Sequence, residues 1–396
     1  MPGFEIFSDE ERKEVNDVIQ TGVLFRYGFD HARDGHWKAK TFEKEFSQRI
    51  GSKYCYLCSS GTAALTIALA SCGIGAGDEV IVPPFTFIAT IEAVLNLGAV
   101  PVFSEIDDTL CLDPYALSNA ITDRTRAVLP VHMCGSMAKI DLIKNFCDKK
   151  GLKLIEDACQ SIGGSFKGKS LGCFGNMGCF SFDPVKTITC GEGGAVVTDD
   201  ENLYRIADSY ADHGHDHIGD DRGKETHPIL GSNYRISELN AAVGLAQLRK
   251  LNEILIKQKS HKRVLKEALN NCPHISFREI PDPEGDSATF LSFFLPDEQT
   301  ARKAIERLNQ EGVDGCFYWY DNNWHYFRQW DHLKKLSFAA RPPIMLLDNP
   351  PDYAKVSLAQ SDKVIGRTIS MLIKLAWNNE DIELRGEKMV RVFNSL

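Results

Sequence analysis

The stretch 180-FSFDPVKTITCGEGGAVVTDD-200 sets one lysine between two apolar runs. Phe180, Ser181 and Phe182 alternate like a strand, and Asp183-Pro184 interrupts it. Gly191, Gly193 and Gly194 then open a turn into Ala195-Val196-Val197. Most lysines are solvated surface charges. An amine at a strand-to-turn junction near the interior is either a structural accident or a nucleophile suited to Schiff-base chemistry. The flanking sequence has to decide which one Lys186 is.

Working outward, short apolar runs recur at 53–57, 79–82, 100–106, 126–132, 153–157, 178–182 and 195–198. Helical patterns such as 63–72 and 88–97 separate several of them. Strands rich in Val, Ile, Leu, Phe and Cys belong to sheets covered on both faces by helices. This alternation specifies an α/β domain with a mostly parallel seven-stranded sheet. Beyond a helix at about 201–212 comes the polar loop HGHDHIGDDRGKETHPILGSN, then a long helical segment at about 236–269. TFLSFFLP (289–296), EQTARKAIERLNQEG, CFYWY (316–320) and RTISMLIKL (367–375) read as a smaller α+β domain. The boundary falls near residue 255, giving a large domain over 1–255 and a small C-terminal domain over 256–396.

The chain has 396 residues, 43% hydrophobic and 25% charged, with a net charge of −9. That length exceeds one ordinary core, and the negative charge argues against broad nucleic-acid or membrane-surface binding. The acidic opening MPGFEIFSDEERKEVNDVIQ reads as an amphipathic helix without the marks of a signal peptide. No apolar run reaches membrane-spanning length, so a cytoplasmic protein is expected. Twelve cysteines are scattered through strands and helices, and Cys55-x-x-Cys58 has no second pair to complete a zinc site. Reduced, mostly buried thiols and no metal are expected.

Three stretches carry chemistry. In SSGTAALTIALA (59–70), Ser59, Ser60, Gly61 and Thr62 follow a strand and open a helix at Ala63. Such a helix start binds phosphate, and the same hydroxyls also serve as plain N-caps. In KLIEDACQSIGG (153–164), Asp157 ends a buried strand at the edge where α/β sheets bind ligands. A carboxylate there holds a cation, a metal or a protonated ring nitrogen, or merely caps a helix. In VPPFTFIAT, Phe87 falls at the same edge, as a stacking platform or as core packing. Phosphate cup, platform, acid and Schiff-base lysine together are the requirements of pyridoxal phosphate.

In SSGTAAL, PPFTFIAT, IEDACQSIGG, GCFSFDPVKTITCGEGG and GSNYRISELNAAVG, the chain resembles the vitamin-B6-dependent sugar aminotransferases of the DegT/StrS type, in order and spacing. The resemblance implies the aspartate-aminotransferase-like fold (fold type I), with Lys186 as the Schiff-base lysine and Asp157 on the pyridine nitrogen. It also implies Phe87 on the ring, Gln160 at the ring hydroxyl, and Gly61, Thr62, Ala63 and Ser181 round the phosphate of pyridoxal 5′-phosphate, which passes through its pyridoxamine form. Asn233 would cross to the phosphate of a second subunit, so a homodimer with shared sites is implied. Asp183 departs from many relatives, but the spacing from Ser181 to Lys186 is kept. A lysine at 186 argues against the dehydratase branch, which carries histidine there.

The acceptor is the open question. Segment 22–46 adds Arg26, His31, Arg33, His36, Trp37, Lys38 and Lys40 to an acidic protein. It is a solvated loop or a pocket wall for a carboxylate, which guanidinium forks match. The resemblance then implies amino transfer from glutamate to the C8 aldehyde of 3-deoxy-8-oxo-manno-octulosonate, with the product serving lipopolysaccharide in a Gram-negative bacterium. Arg26, His31, Arg33 and Lys38 are the expected substrate contacts, and a nucleotide-linked keto-hexose is the alternative acceptor. DHGHDH (212–217) reads as a loop at the substrate entrance. The aromatic run 316–330 reads either as a sugar-stacking surface or as small-domain core.

Overall fold

In the computed structural model, which describes residues 3–219 and 222–396, the seven apolar runs form one sheet. Its order from one edge is Tyr54–Cys58, Gly194–Thr198, Met177–Ser181, Lys153–Asp157, Thr125–Val128, Glu79–Val82 and Val100–Phe103. Gly194–Thr198 runs antiparallel to both its neighbours, and every other pairing in the sheet is parallel. It is therefore the return arm of the hairpin whose connection carries Lys186. Parallel strands covered on both faces need apolar residues throughout. Glu79–Val82 and Met177–Ser181 are accordingly buried along their whole length, as is the antiparallel Gly194–Thr198 between its two neighbours.

The sheet's first neighbours in register set the site. Gly194 faces Cys58 on one side and Ser181 on the other. A Cβ added at Gly194 would collide with the Ser60 carbonyl. Glycine is thus what lets the hairpin lie against the start of helix Gly61–Ser71. Gly194→Ala is expected to cost about 1–3 kcal/mol of stability, the usual penalty for overpacking. Differential scanning calorimetry measures it, and an unchanged melting temperature would refute the close fit.

A second, four-stranded antiparallel sheet has the order Ser276–Phe277, Phe290–Phe294, Thr368–Leu372, Cys316–Tyr318, with helix Glu298–Gln310 beside it. One expectation needs correction. The helical segment expected at 236–269 is two helices, Glu238–Arg249 and Leu251–Leu269. At the break, the Lys250 ammonium is held by Glu11, Ser8 and the Ile6 carbonyl, which ties it to the N-terminal helix Asp9–Thr21. Phe327, Trp330, Leu333, Ile344, Tyr353 and Leu358 are buried in the core beneath helices Gly61–Ser71 and Ala89–Asn96. No helix among the described residues is long and apolar enough to cross a membrane.

Candidate active site

Connections leaving the carboxyl ends of the parallel strands converge on one cavity of about 510 Å³. Its walls include Ser60, Gly61 and Thr62, then Phe87, Asp157 and Gln160, and then Ser181 and Lys186. The structure thus brings together every cofactor residue expected from the sequence except Ala63 and Asn233. Lys186 makes no side-chain hydrogen bond or ion pair among the described residues, and its backbone is pinned by Asp183 and Gly3. Its amine is free to act.

Asp157 is 4% exposed, yet no cation neutralises it among the described residues. Its Oδ2 accepts from the Thr90 hydroxyl at 2.8 Å and its Oδ1 from the Cys159 amide at 3.1 Å. A buried carboxylate without a counter-charge is costly unless a ligand supplies one. A protonated ring nitrogen does so. Gln160 Oε1 accepts from the Cys134 amide at 3.2 Å, which leaves its NH₂ as the donating end.

The phosphate end also fits. A Cβ at Gly61 would stand 2.7 Å from the Ser181 Cβ, so glycine keeps the cradle open between the helix start and the hairpin. Ser60 is the N-cap of helix Gly61–Ser71, and its Oγ accepts the Ala63 amide at 3.0 Å. The Ala63 amide, expected at the phosphate, donates to this cap. Thr62 and Ser181 remain for an anion at a positive helix end.

Above the cavity lies a feature the sequence reading left open. Phe317 and Trp319 stack at 5.0 Å between centroids, with rings 8° from parallel. Trp324 stacks on Phe87 at 5.7 Å and 7°, and His325 leans on both Phe87 and Trp319. The aromatic run is held there by backbone pairing, since the Thr86 and Ile88 amides donate to the His325 and Trp324 carbonyls at 2.9 and 3.0 Å. Phe317, Trp319 and His325 line the same cavity as Lys186.

The basic segment 22–46 departs from expectation. None of Arg26, Arg33 or Lys38 lines this cavity. The Arg26 guanidinium donates to the Leu57 carbonyl and to Glu43, both at 2.6 Å, and lies over the Tyr56 ring at 4.2 Å. Arg33 is 1% exposed and donates to the carbonyls of Gly28, Phe25 and Tyr27. Lys38 pairs with Glu14 at 2.5 Å and Asp17 at 2.6 Å. Buried cations need partners, and these three found them inside the chain, so the wall expected from them is not built within one copy. His31 is exposed and makes no hydrogen bond or ion pair among the described residues. Asn233 is exposed too and outside the cavity, its Oδ1 accepting only the Arg235 amide among the described residues.

The histidine loop is an ion-pair lock. His217 Nδ1 lies 2.8 Å from Asp208 and Nε2 lies 2.9 Å from Asp212, with the Tyr27 ring stacked at 4.6 Å. Arg222 and Arg235 also donate to Asp212. Among the described residues no cluster of three or more His, Cys, Asp or Glu is arranged for a metal ion. Burial works against a charged His217, but the two carboxylates outweigh it and raise its pKa to about 9. A pKa raised on folding adds stability that is fully present below the ordinary 6.5 and is lost as pH rises through about 9. Denaturation midpoints are expected to fall across that window, and His217→Gln should flatten the fall. An identical slope in the variant would refute the lock.

These features define a fold-type-I aminotransferase site: a free lysine beside a glycine turn, an acid without a counter-charge, and a phosphate cradle. The match to the family model of the DegT/DnrJ/EryC1/StrS aminotransferases spans residues 6–374, and the chain belongs to that family. It is 36% identical over 307 residues to the L-glutamine:scyllo-inosose aminotransferase of Streptomyces griseus, covering 76% of this chain and 72% of that one. It is 37% identical over 253 residues to the 3-amino-5-hydroxybenzoate synthase of Amycolatopsis mediterranei, covering 64% and 63%. The fold matches an aminotransferase from Psychrobacter cryohalolentis with a TM-score of 0.86, at 27% identity and 98% coverage of both chains. Aminotransferases of this family work with pyridoxal phosphate, and the residues round Lys186 fit it.

Proposed function

We propose that the chain transfers an amino group from glutamate to the C8 aldehyde of 3-deoxy-8-oxo-manno-octulosonate, yielding 8-amino-3,8-dideoxy-manno-octulosonate for lipopolysaccharide in the cytoplasm. The observation that carries a compact acceptor is the aromatic roof. Phe317, Trp319 and His325 line the same cavity as Lys186, and its 510 Å³ is ordinary by the ~300–1,000 Å³ standard of sites that hold one ligand. Cofactor and acceptor must share it. The relatives' names, for an inosose and an aminohydroxybenzoate, carry no nucleotide either.

On this reading residues 1–255 hold the cofactor and residues 256–396 supply the roof. Pyridoxal phosphate, when bound, supplies an electron sink for the charge that develops at the donor's Cα. Lys186 Nζ takes the proton from that carbon, because its amine lines the cavity and is unpaired among the described residues. Asp157 holds a proton on the ring nitrogen. Phe87 is the platform, the Gln160 NH₂ donates to the ring hydroxyl, and Gly61, Thr62 and Ser181 receive the phosphate. Asn233 reaches the phosphate of a second copy, which makes the enzyme a homodimer, and His31 is the substrate contact left free in segment 22–46.

A nucleotide-linked keto-hexose is the second reading. The observation that favours it is the inward pairing of Arg26, Arg33 and Lys38, which removes cations expected for the acceptor's carboxylate. An absorbance titration separates the two. The enzyme is charged with glutamate, or with the L-glutamine of the relatives' names, the donor is removed, and acceptors are added singly. The cofactor's original band is expected to return with the 8-oxo sugar acid. Return only with a nucleotide keto-hexose would transfer the enzyme to the second reading.

A further inference from the structure

We infer that His325 recognises the acceptor: its Nε2 accepts a hydrogen bond from the hydroxyl on the carbon next to the acceptor's reacting carbonyl. This rests on the reading that the Lys186 cavity takes a hydroxylated carbonyl compound.

Asn322 fixes the tautomer of His325. Its Oδ1 lies 3.0 Å from the Trp324 amide and 3.0 Å from His325 Nδ1. A backbone N–H only donates, so the Asn322 atom it meets is the oxygen. That oxygen only accepts, so Nδ1 must carry the imidazole proton. In a neutral ring Nε2 is then a bare lone pair. It has no partner among the described residues, and His325 lines the same cavity as Lys186 and Asp157.

The ring cannot turn away. Trp319 meets it edge-on at 5.0 Å and Phe87 flanks it at 5.5 Å, while its backbone carbonyl is held by the Thr86 amide. Burial, with the Lys186 ammonium adding to it, pushes the ring's pKa down to about 4, so the imidazole is neutral near pH 7. A fixed acceptor of this kind attracts O–H donors and repels acceptor-only groups. Sugar hydroxyls donate, whereas the carboxylates of glutamate only accept.

The test uses the full-length holoenzyme. In [15N]histidine NMR, the resonance that disappears in His325→Phe is expected to show an unprotonated Nε2 and a protonated Nδ1. The opposite tautomer, or a charged ring, would overturn the inference without reference to any activity. The second readout is the acceptor half-reaction with glyceraldehyde and with 3-hydroxypropanal, which lacks only the hydroxyl beside the carbonyl. Wild type is expected to prefer glyceraldehyde. His325→Phe should cut that preference about tenfold, the worth of one hydrogen bond plus the desolvation it offset. His325→Gln, whose amide oxygen still accepts, should keep more of it. An undiminished preference in His325→Phe overturns the inference. If the preference follows residue 325 while the 8-oxo sugar acid is not converted, the octulosonate reading fails and this one stands.

Discussion

Lys186→Ala is expected to lower amino transfer by about four orders of magnitude or more, with the fold intact. The loss is large because the variant removes both the nucleophile and the group placed to move the Cα proton, and general acid–base catalysis alone is worth ~10²–10⁴. The fold should survive because the side chain has no hydrogen bond or ion pair to lose among the described residues. What fixes this turn is backbone: Lys186 N donates to Asp183, Gly3 N donates to the Lys186 carbonyl, and the Phe182 amide donates to Gly193. Single-turnover absorbance with glutamate reads the chemistry, and calorimetry reads the fold. Turnover within tenfold of wild type would end the assignment of Lys186. A collapsed melting temperature would instead assign the lysine a structural role that its surroundings do not show.

The large sheet was legible because its strands are short apolar runs closed by turn residues. Glu79–Val82 and Lys153–Asp157 fall where the sequence reading puts them, since Pro83-Pro84 and the DACQ turn end them abruptly. Once the strands are parallel, topology alone sends Ser60, Phe87 and Asp157 to one edge. The roof was not legible. His325 reaches the cavity because segment 324–327 pairs with segment 84–88, a contact far along the chain that leaves no local periodicity. The basic segment misled for a related reason. A sequence shows the charge of Arg26, Arg33 and Lys38, but whether each faces a ligand depends on distant acids. Here Glu43, Glu238, Glu14 and Asp17 stand close enough to take them up. The helix break at Lys250 has no glycine or proline to announce it, because a side-chain lock to Glu11 fixes it instead.

The second large effect is expected at Asp157, and the choice of variant decides what is learned. Asp157→Asn keeps the volume and an oxygen for the Thr90 hydroxyl or the Cys159 amide, so the strand end should hold. It removes the one charge able to keep a ring nitrogen protonated, and with it the electron sink. The donor half-reaction is expected to slow by about a thousandfold, an electrostatic loss of the size seen when a charge-stabilising group is deleted. Asp157→Ala is a different experiment. It leaves the half-buried Cys159 amide without its acceptor, at about 1–3 kcal/mol, and the Thr90 hydroxyl with Thr86 as its remaining partner, so a fall in activity there would mix chemistry with damage. Thr90→Val separates the two further. It keeps the charge and removes the hydrogen bond that orients it, along with the Thr90 contact to the Thr86 hydroxyl, and about a tenfold loss is expected. The ordering matters more than any single value. If the Asp157→Asn enzyme turned over as fast as the Thr90→Val enzyme, the carboxylate's charge would not be what the site uses, and a cation-free acid buried at the strand end would need another explanation.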